Sequence, residues 1–117
     1  MDLYHDIQEL MKELTVSIKL LKTNGNTLAA AERDYKIKLR QEALKLRAEN
    51  DMPVSLIDKV IYGLPEVAEM RFKRDIAKST YNTSLEQINV TKLKLRLLEN
   101  QLSREYGAAG KGNLWNL

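Results

Sequence analysis

Cysteine is absent from this 117-residue chain. That removes disulfide scaffolds, thiolate metal sites and cysteine nucleophiles together. Histidine occurs once, as His5 beside Asp2 and Asp6. A metal site would need two or three further ligands in fixed geometry, so neither a metal nor a cofactor is expected. No run of about 18 apolar residues is present, so no membrane-spanning helix is expected. No basic segment precedes an apolar stretch at the start, so no secretory leader is expected. With the missing cysteines, these features point to the cytoplasm. P-loop, GxGxxG and GxSxG patterns are also missing, and the chain reads as a non-enzyme. Proline occurs twice and glycine five times, which leaves few places for the backbone to break.

What is present is helical. Charged residues make up 30% and hydrophobic residues 44%, too apolar for disorder and typical of long amphipathic helices. The net charge of +3 permits an anionic partner without requiring one. Asp2 is placed to cap a first helix whose stripe is Leu3, Ile7, Leu10, Leu14, Ile18 and Leu21. Thr23-Asn24-Gly25-Asn26 is expected to end it, with Gly25 left-handed, so that a second helix folds back as a hairpin. The second stripe is Leu28, Ala31, Tyr35, Leu39, Ala43 and Leu46, and Pro53 ends that helix. Ser55 and Asp58 resemble a capping box for a short helix carrying Leu56, Ile57, Val60 and Ile61. A strand there would have nothing to pair with.

Pro65 and Glu66 open a last helix that meets no glycine or proline until Gly107. Its seam repeats every seven residues: Val67, Arg74, Tyr81, Ile88, Leu95 and Leu102, with Met70, Ala77, Ser84, Thr91 and Leu98. The poor helix formers of residues 79–84 mark either a bend or a stretch that faces something other than an apolar core. The expected fold is all-α: a helical hairpin, a short connecting helix and one long coiled-coil-like C-terminal helix. Residues 1–106 form one domain, and 107–117 form a Gly-rich tail with Leu114, Trp115 and Leu117 as an apolar anchor. Such slender helices leave little depth for a core. A homo-oligomer is therefore expected, with Leu56, Ile57, Val60, Ile61, Ile88, Leu95, Leu98 and Leu102 at its interface.

Arg74 on the seam calls for a partner, since an unpaired charge there is costly. Pairing with Asp75, Glu69 or a facing carboxylate is preferred over the alternative, an anion pocket formed by Arg71, Lys73, Arg74 and Lys78 beside residues 53–63. Tyr81, Asn82 and Asn89 add stacking and hydrogen-bonding groups that Tyr62 and Tyr35 could join. Arginine with an aromatic ring is the minimum set for gripping a nucleobase and a phosphate. The same groups could instead fix helix register. A second basic stretch, Arg33, Lys36, Lys38, Arg40, Lys45 and Arg47, reads first as solvated helix surface and second as a track for a nucleic-acid backbone.

The run Met70-Arg71-Phe72-Lys73-Arg74-Asp75-Ile76-Ala77 is followed by Tyr81, Glu86, Ile88, Asn89, Lys92, Leu93, Arg96-Leu97-Leu98-Glu99, Gln101 and Arg104-Glu105-Tyr106-Gly107. With Met52-Pro53-Val54-Ser55 and Gly63, it resembles a family of small helical proteins encoded by phages and prophages of Gram-positive bacteria. The resemblance implies a small accessory protein that either supports replication and recombination or blocks a host defence. Three readings follow. The first is an oligomeric counter-defence protein that sequesters an anionic (cyclic) nucleotide signal, or masks a host protein, with Arg71, Arg74, Lys78, Tyr81, Asn89 and Tyr62 at the ligand. The second is a DNA-associated replication or recombination accessory. The third is a structural coiled-coil assembly factor. The first ranks ahead because the charge is too balanced for a dedicated DNA binder and the polar mid-helix layer suits a plain coiled coil poorly.

Overall fold

The computed structural model describes residues 2–109. Helix α1 spans Leu3–Glu49, helix α2 spans Val54–Val60 and continues into a 3-10 turn at Ile61–Gly63, and helix α3 spans Pro65–Ala109. No strand is present among the described residues. Both long helices start as their sequences dictate. The Asp2 carboxylate accepts the His5 N–H at 3.1 Å, which satisfies one orphan donor of the first turn. At α3 the Leu64 carbonyl accepts the Ala68 N–H at 2.9 Å. Pro65 then occupies the first helical position, where its missing N–H costs nothing, and Glu66 sits at the positive end. The last helix continues past Tyr106 to Ala109, and Leu114, Trp115 and Leu117 of the expected tail lie outside the described residues.

The expected hairpin at residues 23–26 is not formed. α1 continues through it, so the two expected arms are one helix. Three facts bear on this. No glycine among the described residues has a positive φ, so Gly25 is helical and not a left-handed cap. The Thr27 hydroxyl donates to the Thr23 carbonyl at 3.1 Å, a back-bond that satisfies it inside a helix. Gly25 also lies against the Tyr81 ring: a Cβ built on it would stand 3.4 Å from Tyr81 Cε2. The ring packs on the glycine at a distance where a methyl group would make ordinary contact, and the turn that Gly25 seemed to signal does not occur. Spacing agrees with this. Leu21, Asn24 and Leu28, at steps of three and four, are all half-buried, whereas Ile18 is 51% exposed and Ser17 takes its place on the covered face.

The chain divides into two compact units. The central unit comprises Lys22–Thr83 and the terminal unit comprises Met1–Leu21 with Ser84–Leu117. In the central unit the chain reverses between α1 and α3. The N–H groups of Asn50 and Met52 both donate to the Leu46 carbonyl, and Arg47 Nη1 donates to the Met52 carbonyl at 3.2 Å. Asp51 between them takes a left-handed φ of 48°, which Asp tolerates better than most residues. Pro53, extended at φ −60° and ψ 144°, then caps α2 through its carbonyl, which accepts from Leu56 and Ile57 at 3.0 Å each. The Ser55/Asp58 capping box is therefore not used. The rigid φ of Pro53 sets the entry two residues ahead of where Ser55 would have capped.

α2 and its 3-10 turn close a core of Tyr35, Leu46, Ile57, Ile61 and Val67, flanked by Leu39, Ala43, Met52, Leu64 and Met70. Ile57 and Ile61, expected at a subunit interface, are buried against their own chain at 7% and 3% exposure, while Val60 is half-buried and Leu56 exposed. On α3 every expected seam position is buried or half-buried, including Ile88, Leu95, Leu98 and Leu102 in the terminal unit. The polar seam members are satisfied where they lie; the Thr91 hydroxyl, in a residue only 2% exposed, donates to the Gln87 carbonyl at 3.0 Å. Many large apolar side chains nevertheless face solvent. In the terminal unit they include Tyr4, Met11 and Ile18 of α1 and Val90, Leu93 and Leu97 of α3.

A candidate anion-binding groove in the central unit

Tyr62 lies in the 3-10 turn with 46% of its surface exposed. The guanidinium carbon of Arg71 stands 5.5 Å from the centroid of its ring, a cation–π distance. Tyr62 also lines a groove of ≈ 390 Å³ together with Lys36, Leu39, Arg40 and Ala43 of α1 and Ile57, Asp58 and Ile61. Lys36 and Arg40 are four residues apart on α1 and so share one side of that helix. The lining therefore combines aliphatic side chains, an exposed phenol ring and two cations, Lys36 and Arg40, with the carboxylate of Asp58, while Arg71 stands over the same ring. That combination suits a ligand with both a flat apolar part and a negative charge.

Arg74 is already engaged. Its Nε and Nη2 donate to Asp75 Oδ1 at 3.0 and 2.8 Å, and its guanidinium lies 4.8 Å above the Tyr35 ring. The hydrogen bond to Asp75 raises its pKa above the ordinary arginine value, against an opposing effect of burial. This is the carboxylate pairing preferred from the sequence. Lys73 lies elsewhere on α3, lining grooves with Thr27, Ala77 and their neighbours, so it does not converge with Arg71 on Tyr62. Lys78 is exposed, and Tyr81 is half-buried against Gly25. Asn89 is exposed and belongs to the terminal unit. Of the residues singled out for a ligand, the fold thus brings Arg71 onto Tyr62, and Tyr62 lines the groove with Lys36 and Arg40.

Spacing along α1 gives no reason to prefer Lys36 and Arg40 over Arg33 or Arg47, and by itself it marks all four as solvated surface. Only the chain reversal through α2 places Tyr62 beside them. A second charged cluster has a structural task. Lys38 Nζ lies 2.6 Å from Glu66 and 3.5 Å from Glu42, and Lys45 reaches Glu42 at 4.0 Å. The hydrogen bond to Glu66 raises the Lys38 pKa, and the same bond lowers that of Glu66. This pair ties α1 to the first turn of α3. Among the described residues no group of three or more His, Cys, Asp or Glu side chains is arranged to hold a metal ion, and no helix is long and apolar enough to cross a membrane. No family model matches the chain, and no curated protein or solved structure matches it.

Proposed function

We propose that the chain is a non-catalytic, homo-oligomeric binding protein that captures a small anionic ligand bearing an aromatic base, of the nucleotide class, in the Tyr62 groove. The observation that carries this reading is the pairing of an exposed tyrosine with Arg71 on one side and with the Lys36/Arg40 groove on the other. The ring offers a stacking face and the cations offer phosphate partners. A volume of ≈ 390 Å³ falls within the usual range for small-ligand sites, about 300–1,000 Å³. In the phage setting that the sequence resemblance implies, such capture would withdraw a nucleotide signal from a host defence system. Masking of a host protein is the other form of the same reading.

Native mass spectrometry of the purified chain with linear and cyclic nucleotides tests the reading, with inorganic phosphate as an anion-only control. One fixed ligand mass per chain or per interface is expected. Tyr62→Ala and Arg71→Ala should each weaken uptake by about 5- to 150-fold, the worth of one base–aromatic stack, while Lys73→Ala should leave it intact. A folded protein that takes up no nucleotide, or takes it up equally well in Tyr62→Ala, would overturn the assignment.

A further inference from the structure

In the terminal unit α3 is apolar on two sides. Ile88, Thr91 and Leu95 are buried on the seam, and Leu98 and Leu102 are half-buried. Val90, Leu93 and Leu97 lie on the opposite side of the helix at 43%, 51% and 58% exposure. Their spacing of three and four makes them a second stripe, and a helix with two apolar stripes has a second face to cover. Continuing that spacing outward reaches exposed Glu86 at one end and exposed Asn100 and Arg104 at the other. Glu86 and Arg104 are eighteen residues apart, about five full turns, so they lie on the same line along the helix. Neither is ion-paired within the described residues.

We propose that this outer stripe is the docking face for a second copy of the chain, with the two α3 helices antiparallel about a two-fold axis level with Leu95. The stripe is self-complementary only in that direction. Each terminal charge is about 13 Å from the level of Leu95, so Glu86 of one copy meets Arg104 of the other, and this happens twice. Leu93 meets Leu97 of the second copy across the centre, also twice. A parallel pairing would set Glu86 beside Glu86 and Arg104 beside Arg104, which like-charge repulsion disfavours. A two-fold pairing of one patch with itself also closes the assembly. The proposal rests on the homo-oligomer reading and names its face, which lies outside the buried seam and the α2 residues expected to supply it.

Sedimentation equilibrium on the full chain tests it, with far-UV circular dichroism to confirm that each variant is folded. All substituted residues are exposed, so the helices should persist. The parent is expected to dimerise. Glu86→Arg alone and Arg104→Glu alone should each weaken the dimer by about 5- to 100-fold, since each reverses two contacts. The double variant should recover most of that loss, and Leu93→Glu should dissociate the dimer outright. A parent dimer indifferent to all four variants overturns this face while leaving the oligomer reading in place. Single charge reversals that weaken the dimer without recovery in the double variant overturn the antiparallel register. A parent that remains a monomer at every concentration overturns both.

Discussion

Gly25→Ala tests the continuity of α1 through the sign of a stability change. In a helix interior, Gly is about 0.8–1.0 kcal/mol less favourable than Ala. The new Cβ would meet Tyr81 Cε2 at 3.4 Å and Cδ2 at 3.8 Å, ordinary van der Waals contact that needs little adjustment. The φ of Gly25 is not positive, so an L side chain meets no backbone strain there. The expected result is stabilisation by about 1 kcal/mol, or a rise in midpoint temperature of about 4 °C for a chain of this size. Had residues 23–26 formed the turn that their composition signals, Gly25 would be left-handed. Alanine would then destabilise the fold by at least about 1 kcal/mol. Urea denaturation followed by circular dichroism at 222 nm, at one fixed protein concentration, reads the difference. Gly25→Leu serves as the control for the ring contact, because its longer side chain must displace Tyr81 at a cost of about 1–3 kcal/mol. A lower midpoint for Gly25→Ala would refute the continuous helix.

Two further outcomes follow from the central unit. Ile61 is 3% exposed within the α2-closed core, so Ile61→Ala should cost about 3 kcal/mol by urea denaturation, and a loss below about 1 kcal/mol would mean that this core is not formed. The Lys38–Glu66 link should give stability a defined pH dependence. Glu66 has its folded pKa below the ordinary 4.5, so its contribution is present at neutral pH and is lost as the pH falls through that lowered value. Lys38 has its folded pKa above 10.5, so its contribution is lost only as the pH rises through that higher value. Glu66→Gln should therefore flatten the acid side of a plot of urea midpoint against pH, and an unchanged acid limb would show that the pair contributes nothing measurable.

The sequence by itself determined the all-helical class, where the first and last helices start and the face that the last one buries. These are short-range properties: Asp2 caps the first turn, Pro65 starts the last helix, and steps of three and four align Val67 through Leu102 on one side of α3. The continuity of α1 shows only in the structure, where Leu21, Asn24 and Leu28 are all half-buried. Turn-forming residue types at 23–26 argued the other way, and local composition alone could not weigh the two. The ring that Gly25 lies against, Tyr81, is 56 positions away, beyond anything local composition contains. The groove has the same origin. Tyr62, Arg71, Lys36 and Arg40 are ordinary surface residues in one dimension, and only the reversal at Asp51 and Pro53 brings the 3-10 turn back to α1. The pairing of Arg74 is different: its partner Asp75 is its sequence neighbour, as Asp34 is for Arg33, so a short-range argument sufficed. Periodicity states which residues want cover, and tertiary structure decides what covers them, because that choice depends on chain segments that spacing along one helix does not contain.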